Sequence, residues 1–408
     1  MKYVVVLGDG MADYPLDALG GRTPLQVAAK PHIDALAKKS LLGLVKTVPS
    51  GLAPGSDTAN LAVLGYDPLI YYNGRSPFEA ISMGVPLQQG DITFRCNFVT
   101  LSVEDNYEDR VMLDHSADEI SSTEARLLLA DIDKELQTEK MHFFPGVSYR
   151  HLLVWQGAPT EWTLTPPHDI LARPIGDYLP KGPLGAHMLA LMEKSAAILA
   201  DHPVNVERVA KGLRPANSIW IWGEGQKPQL PSFAKKYGVR GAVISAVDLI
   251  KGLGLAADLE VIYVEGATGN LQTNFRGKAN AALVALQQGM DFVYIHVEAP
   301  DECGHRQEME NKIKAIELID QQVVAELLSG LDATGEDYRM MILPDHATPL
   351  ALRTHTSDPV PFLIYDSTAP LQGQTHCYDE GSAKDAGLMV GEGYTLMDLF
   401  FAASVGGK

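Results

Sequence analysis

Cysteine, basic residues and long apolar runs are all scarce in this sequence. Its three cysteines, Cys96, Cys303 and Cys377, cannot form a disulfide framework and lack the spacing of a zinc finger. No apolar run approaches the roughly 20 residues that a membrane helix needs. The N-terminal residues have neither the basic region nor the apolar region of a secretion signal. These absences predict a soluble cytoplasmic protein with free thiols and no membrane partner.

The shortage of basic residues also limits the partners. The chain has 33 Lys and Arg against 51 Asp and Glu, which gives a net charge of -18. A nucleic-acid partner is therefore not expected, because phosphate backbones are bound through basic surface. An anionic substrate would have to be met by local cations or metal ions. The oligomeric state is not readable from the sequence.

Length and composition predict a globular protein of more than one domain. The 408 residues allow two to three domains, and an apolar content of 46% is ample for their cores. Strand-like runs alternate with helical patterns at both ends of the chain, which favours a mostly parallel sheet covered by helices on both faces. The predicted strands cover 3–7, 41–48, 261–264, 292–297, 340–343 and 362–365, and the predicted helices cover 31–40, 277–288, 309–328 and 395–402.

The middle of the chain has a different texture, with more Pro and Trp and a less regular rhythm. We interpret it as an inserted second domain of the α/β or α+β type at 86–256, between the two parts of a discontinuous domain at 1–85 and 257–408. Its predicted strands cover 94–101, 151–155, 219–222 and 242–245, and its predicted helices cover 122–137 and 184–199.

Asp, His and Ser residues follow apolar runs in five short segments of the discontinuous domain. They are Asp9, Ser56, Asp301, His305, Asp345, His346 and His355. Because ligands collect at the carboxyl ends of strands in open α/β sheets, we expect the chain to gather these side chains in one site. Carboxylate and imidazole groups suit Mn²⁺, Zn²⁺ or, with more oxygen ligands, Mg²⁺. Two such ions about 4 Å apart can clamp a phosphoryl group, and a serine beside them becomes a nucleophile.

Each segment alone also has an ordinary structural explanation. Asp9 can cap a turn, and His355 can be a surface histidine. Ser56 opens a predicted helix, where serine is more often an N-cap than a nucleophile, although a helix N-terminus also favours a bound phosphate. Asp301 and His305 are four residues apart, so in a helix they share a face. The prediction of a two-metal centre depends on all five segments together.

These segments give the chain a resemblance to a known family. The segments Gly8-Asp9-Gly10, Pro54-Gly55-Ser56-Asp57, Ala299 to His305, Asp345-His346 and Thr354-His355-Thr356 are similar to motifs of the alkaline-phosphatase superfamily. More closely, the chain resembles the archaeal-type cofactor-independent phosphoglycerate mutases along essentially its whole length. Further matches are Gly65-Tyr66-Asp67-Pro68, Gly74-Arg75, Arg95-Cys96-Asn97-Phe98 and Gly266-Ala267-Thr268-Gly269.

The resemblance implies a role for each matching residue. One metal ion would be held by Asp9, Ser56, Asp345 and His346, and the other by Asp301, His305 and His355, with Mn²⁺ the commonest ion. Ser56 would take the phosphoryl group of 3-phosphoglycerate and return it to the 2-hydroxyl of the same glycerate. The substrate, a small phosphorylated anion, would be bound by Lys278, Arg150, His168 and Arg75.

One departure from the family pattern leaves a second function open. Archaeal-type mutases usually carry an Arg-Gly-x-Gly element where this chain has Ile221 to Gly225, so that Trp222 stands at the place of an arginine. A related bacterial group is proposed to act as homoserine kinase. The chain has no phosphate-binding loop of the Gly-x-x-x-x-Gly-Lys-Ser/Thr type, which disfavours a conventional kinase. A non-enzymatic metal-binding module is the third hypothesis, and it gives Ser56 no purpose.

Overall fold

The computed structural model describes residues 1–371 and 377–402 and divides into two compact units. Unit 1 comprises Met1–Tyr72 and Gln229–Lys408, and unit 2 comprises Asn73–Pro228. The strands are β1 (Lys2–Gly8), β2 (Leu41–Val45), β3 (Asp91–Leu101), β4 (Met112–Asp114), β5 (Met141–Phe144), β6 (Arg150–Gln156), β7 (Ser218–Gln226), β8 (Gly241–Ile244), β9 (Glu260–Val261), β10 (Phe292–Val297), β11 (Tyr338–Leu343), β12 (Val360–Asp366) and β13 (Met389–Val390).

Helices connect most of these strands. They are α1 (Pro24–Val27), α2 (Pro31–Ala37), α3 (Ser56–Val63), α4 (Pro68–Tyr71), α5 (Ser76–Ser82), α6 (Ser122–Leu136), α7 (Gly185–Leu199), α8 (Pro203–Ala210), α9 (Phe233–Tyr237), α10 (Asp248–Ala256), α11 (Phe275–Gln287), α12 (Ala299–His305), α13 (Met309–Leu318), α14 (Ala325–Thr334), α15 (Glu380–Asp385) and α16 (Leu396–Phe401). A π-helical segment, Ile319–Val324, joins α13 to α14. No helix in the described ranges is long and apolar enough to cross a membrane.

The sheet of unit 1 is mostly parallel, in the order β13-β2-β12-β11-β1-β10-β8-β9. Among these strands, only β12 is antiparallel to its neighbours, β11 and β2. The three central strands, β11, β1 and β10, are almost entirely buried, as expected for a sheet covered on both faces. The α/β fold class predicted from the sequence is confirmed.

Alternate residues of each central strand face opposite layers of helices. Val4, Val293 and Ile295 belong to a core that also contains residues of α2, α11, α13 and α14. On the opposite face, the hydroxyl of Tyr294 reaches Asn60 of α3, and Gly254 of α10 lies against Val243. Successive side chains along a strand point to opposite faces of the sheet. One face therefore packs against the larger apolar core, and the other, which includes Tyr294, packs against α3.

Unit 2 is built on an antiparallel sheet. Strand β3 pairs with β4, β6 and β7, and β5 pairs with β6. Its core contains the buried faces of β3 and of helices α6 and α7. Helix α6 begins with a capping box, in which the Ser121 hydroxyl accepts from Glu124 N and the Glu124 side chain accepts from Ser121 N.

The sequence places the unit boundaries incorrectly. The predicted divisions follow residues 85 and 256, whereas the compact units divide after Tyr72 and Pro228. The predicted strand at 242–245 lies in the large sheet of unit 1, where β8 pairs in parallel with β10. At the other boundary, the Ser76 hydroxyl in α5 bonds to Thr93 of β3, so α5 belongs to unit 2. Of the predicted strand at 261–264, only Val261 lies in a strand, the two-residue β9.

Candidate active site

The side chains of the candidate site stand at one edge of the unit 1 sheet. Strands β1, β10 and β11 are adjacent and parallel, so their carboxyl ends meet there. The backbone N–H of Asp9 donates to Val297 O at 2.9 Å, which joins the ends of β1 and β10. Gly10 follows with a φ of +62°, and a Cβ there would lie 2.8 Å from the Cα of Asp301. Only glycine lets these two segments approach so closely.

Asp9, Asp345 and His346 form a first group of metal-competent side chains, all three buried, with ligand atoms within 4.8 Å of one another. Nε2 of His346 lies 3.5 Å from Asp9 Oδ1 and 3.4 Å from Asp345 Oδ2. The Ser56 hydroxyl lies 3.1 Å from the same nitrogen. Ser56 is the first residue of α3, so the free N–H groups and positive dipole of a helix start face this group.

Asp301, His346 and His355 form a second group, so His346 belongs to both. His305 adjoins it, with Nε2 2.9 Å from Nε2 of His355 and 3.3 Å from Asp301 Oδ2. Asp301 and His305 share a face of α12, as their spacing predicts. The Thr348 hydroxyl donates to Asp301 Oδ1 at 2.5 Å and lies 3.2 Å from Nδ1 of His346.

The electrostatics of these groups are unusual for a protein interior. Burial, and then the charges of Asp345 and Asp301, hold the pKa of Asp9 well above its ordinary value. Burial alone would raise the pKa of Asp301 too, but hydrogen bonds from His305 and His355 hold it well below its ordinary value. The bond to Asp301 raises the pKa of His305 to about 8. Burial lowers the pKa of His346. Carboxylates crowded in this way favour either a bound proton or a bound cation.

The residues present fit bound divalent ions. Asp9 Oδ1 is buried and has no hydrogen-bond partner among the described residues. A buried carboxylate oxygen with no donor is costly unless a cation meets it. The facing Nε2 atoms of His305 and His355 also need a proton or a metal ion between them. Carboxylate oxygen and imidazole nitrogen together suit Mn²⁺ or Zn²⁺.

Lys278 is not brought to these groups. It is fully buried in α11, and its ammonium donates to the carbonyl oxygen of His296 at 2.8 Å. Burial, opposed by the charge of Glu298, lowers its pKa to about 8. Its predicted contact with substrate phosphate stays a prediction. His296 itself lies with Nε2 3.1 Å from Asp9 Oδ2, and burial lowers its pKa to about 3.

In unit 2 a guanidinium group lies over the tryptophan that replaces the expected arginine. The Arg95 guanidinium stands 4.3 Å from the ring centre of Trp222. Glu79 accepts from Arg95 and from Arg75 on its two oxygens, at 3.1 and 2.9 Å. The Trp222 indole N–H donates to Asn97 Oδ1 at 3.2 Å, which fixes the ring. Position 222 therefore supports an arginine from the neighbouring strand β3 instead of supplying one.

The other predicted substrate contacts of unit 2 surround this stack. The His168 ring lies 5.4 Å from that of Trp222 and 6.1 Å from that of His115. Burial, together with the nearby charges of His115 and Arg95, lowers the pKa of His168, although Asp169 opposes this. Arg150 is exposed, with its guanidinium 5.3 Å from the ring of Tyr149. The result is a surface with several cationic side chains on a protein of negative net charge.

Sequence reasoning missed three residues that are not metal-competent but contact residues of the candidate site in unit 1 or, in unit 2, of the cationic surface. Asn60 donates to Asp345 Oδ2, Thr348 donates to Asp301, and Arg95 stacks on Trp222. Asn60 had a usable signal, because it stands four residues after Ser56 in a predicted helix and therefore shares its face. The other two contacts join elements far apart in sequence, for which a single sequence carries no signal.

The fold and the site together define an α/β protein in which a serine at a helix start lies beside two groups of metal-competent carboxylate and imidazole side chains. Comparison with known proteins agrees with this class. The family model for 2,3-bisphosphoglycerate-independent phosphoglycerate mutase matches residues 37–205. A probable mutase of this name from Geobacter sulfurreducens is 49% identical over 399 residues, 98% of this chain and 99% of the relative. The mutase of Methanosarcina acetivorans is 50% identical over 391 residues, 95% and 96% of the two chains.

Solved structures give the same result. A protein of Pyrococcus horikoshii has a TM-score of 0.82 at 29% identity and covers 100% of this chain and 99% of its own. The cofactor-independent phosphoglycerate mutase of Thermoplasma acidophilum has a TM-score of 0.64 at 28% identity and covers 98% of both chains. The chain belongs to the 2,3-bisphosphoglycerate-independent phosphoglycerate mutases, a family of isomerases, as the sequence motifs predict.

Proposed function

We propose that this chain is a metal-dependent mutase that interconverts 3-phosphoglycerate and 2-phosphoglycerate through a phosphoserine at Ser56. One observation carries the proposal: the Ser56 hydroxyl lies 3.1 Å from His346 Nε2, at a helix start and beside both ligand groups. The names of the relatives from Geobacter and Methanosarcina support the choice of substrate.

Asp9, Ser56, Asp345 and His346 would hold one divalent ion. Asp301, His305 and His355 would hold the other, with His346 close to both. Mn²⁺ is our first choice, with Mg²⁺ and Zn²⁺ as alternatives. Bound divalent ions would lower the pKa of the serine hydroxyl and neutralise charge on the phosphoryl group.

The transfer needs no second substrate. Ser56 Oγ loses its proton and forms a bond to phosphorus as the bond from phosphorus to the 3-oxygen of glycerate breaks, and the 3-oxygen takes up a proton. After the glycerate has reoriented, its 2-hydroxyl loses a proton and attacks phosphorus, the bond from phosphorus to Ser56 Oγ breaks, and Ser56 Oγ takes up a proton. The positive end of the α3 dipole favours the phosphate in both steps. The reaction therefore consumes no phosphoryl donor such as ATP.

Within unit 2, we assign substrate binding to the cationic surface around Trp222. Arg75, Arg150 and His168 are the predicted contacts, and Arg95 joins them. A guanidinium that stacks on an aromatic ring is pre-organised for a carboxylate or phosphate. Arg95 would thus supply the charge that the sequence motif lacks at Trp222.

The test is an assay of the purified protein with Mn²⁺ on 3-phosphoglycerate without ATP, and separately on L-homoserine with ATP. We expect 2-phosphoglycerate to form in the first assay, at a rate that Ser56→Ala abolishes. If no 2-phosphoglycerate forms and homoserine is phosphorylated in the presence of ATP, the protein is a homoserine kinase instead. This is the second function that the departure from the family pattern at Trp222 leaves open.

A further inference from the structure

A single side chain, Asn60, connects the start of α3 to the candidate metal ligand Asp345. Asn60 lies one helical turn after Ser56 and is fully buried. Its amide nitrogen donates to the Ser56 carbonyl oxygen at 2.8 Å and to Asp345 Oδ2 at 2.7 Å. The proposed nucleophile and the ligand thus share one hydrogen-bond donor, although they are 289 residues apart in the chain.

The partners of Asn60 determine which way its amide points. A carbonyl oxygen and a carboxylate oxygen can only accept, so the amide nitrogen must face Ser56 and Asp345. The amide oxygen then faces the hydroxyl of Tyr294, which donates to it at 2.6 Å. Tyr294 is fully buried in β10, on the face that carries α3. Reversing the amide would break the hydrogen bonds to Ser56 and Asp345 and would turn the Tyr294 hydroxyl from a donor into an acceptor.

The carboxylate of Asp345 is held on both of its oxygens. The backbone N–H groups of Gly10 and His346 donate to Oδ1 at 3.3 and 3.0 Å. Asn60 supplies the donor to Oδ2. With one donor on that oxygen, a lone pair remains for an ion, and the plane of the carboxylate is fixed.

We propose that Asn60 and Tyr294 are positioning residues: Tyr294 orients the amide of Asn60, and Asn60 holds the Ser56 helix start and Asp345 Oδ2 in fixed relation. The inference rests on the proposed function in so far as Ser56 and Asp345 serve phosphoryl transfer. The Asn60 amide oxygen is occupied by the Tyr294 hydroxyl, and neither side chain is a nucleophile in the proposed reaction, so each acts only through its neighbours. Changes in such outer contacts typically weaken metal binding or activity about 10- to 100-fold.

The test measures Mn²⁺ affinity by calorimetry, without substrate, in Asn60→Ala and Tyr294→Phe. Matched controls are Asn205→Ala and Tyr378→Phe. Asn205 is a buried asparagine of unit 2 whose amide donates to two backbone carbonyls. Tyr378 is a fully buried tyrosine of unit 1 whose hydroxyl donates to Pro361 O at 2.9 Å. Each control therefore loses contacts of the same kind away from the site.

We expect Mn²⁺ affinity to fall about 100-fold in Asn60→Ala and about 10-fold in Tyr294→Phe, and to stay unchanged in both controls. With 3-phosphoglycerate, kcat should fall in the two site variants while KM changes little. A merely structural role would lower the unfolding temperature of Tyr294→Phe and Tyr378→Phe alike and leave Mn²⁺ affinity unaltered. That result would overturn the inference.

A reference variant separates this inference from the proposed function. Asp345→Asn removes the ligand itself and should abolish Mn²⁺ binding at its site. If Asp345→Asn binds Mn²⁺ like the unmodified protein, the proposed metal site fails. If Asp345→Asn loses Mn²⁺ while Asn60→Ala and Tyr294→Phe retain it, the metal site stands and the positioning role is overturned. Should Asn60→Ala not fold, Tyr294→Phe decides, because it removes only one oxygen atom.

Discussion

His305 and His355 point their Nε2 atoms at each other across 2.9 Å. Both nitrogens also lie within 3.4 Å of the Asp301 carboxylate. Nδ1 of His305 lies 3.0 Å from Arg353 O, and Nδ1 of His355 lies 3.2 Å from Pro54 O. In the neutral rings, each Nδ1–H is directed at a carbonyl oxygen and each Nε2 keeps a lone pair, so a cation between the two Nε2 atoms would satisfy both.

Metal affinity should therefore depend on pH. The pKa of His305 is about 8, raised mainly by its bond to Asp301, and that of His355 is also raised. Below the pKa the ring carries a proton that the ion must displace, and above it the ring is free to bind. We expect apparent Mn²⁺ affinity to fall as pH drops through about 8 and to level off at higher pH. Affinity that stays constant down to about pH 6 would contradict histidine ligation.

Ser56→Ala should abolish phosphoryl transfer and leave the fold intact, because it removes the acceptor oxygen with little loss of packing. Turnover of 3-phosphoglycerate and the circular dichroism spectrum measure the two effects. Ser122→Ala, a change at the first residue of α6 in unit 2, serves as the control and should retain activity. Undiminished turnover in Ser56→Ala would refute the role of the serine.

Chelators should inactivate the protein, and Asp301→Asn and Asp345→Asn should each lower its metal content. An amide cannot supply the charge that a carboxylate ligand supplies. The control is Asp366→Asn, which changes a buried carboxylate of unit 1 that pairs with Arg339 at 2.7 Å. It should keep its metal. Full metal occupancy in both site variants would count decisively against the assignment.

Lys312→Met should lower the free energy of unfolding by about 3 to 5 kcal/mol. Lys312 and Asp13 form a fully buried ion pair of 2.7 Å, and the ammonium also donates to Thr348 O at 2.8 Å. Its loss leaves the Asp13 charge without compensation. Lys314→Met, on the same helix but in an exposed pair with Glu317, should change stability by less than about 1 kcal/mol. Equal effects in urea unfolding would refute the argument.

Arg95→Gln should raise KM for 3-phosphoglycerate by roughly 10- to 150-fold, since a hydrogen bond to a charged group is worth about 1.5 to 3 kcal/mol. Trp222→Leu should also raise KM, because it removes the surface on which Arg95 stacks. Arg110, whose guanidinium lies 5.1 Å from the ring centre of Tyr107, provides the control as Arg110→Gln. If KM rises equally in the control, the effect is not specific to the substrate surface.

The sequence predicts the large sheet well because most of its strands are short apolar runs with clear boundaries. Residues 292–297 form a short apolar run between polar residues, and the prediction matches β10 without error. The same feature explains a mistake. The run at 242–245 is also apolar, and its local sequence does not indicate which sheet it joins, so the sequence places it in the inserted domain although it pairs with β10. Pairing partners depend on long-range packing, which a single sequence does not contain.

The metal-competent residues of the site could be predicted from the sequence, whereas the residues that hydrogen-bond to them, such as Thr348, could not. Asp9, Asp345 and His346 follow strands, and their chemistry marks them in the sequence. The direction of the Lys278 side chain could not be predicted either: its ammonium donates to a backbone carbonyl, and its role at the substrate stays a prediction. The reason is geometric: the family motif fixes the position of a residue in the chain, but the direction of its side chain follows from packing.

The proposed mutase mechanism depends most directly on the chemical state of Ser56 during turnover. The decisive measurement is rapid quenching of the Mn²⁺-loaded protein with 3-phosphoglycerate in the absence of ATP, followed by mass spectrometry of the peptide that contains Ser56. We expect a fraction of that peptide to carry the mass of one phosphoryl group on Ser56, and none in Ser56→Ala. Steady formation of 2-phosphoglycerate with this peptide unmodified at every quench time would contradict the central claim.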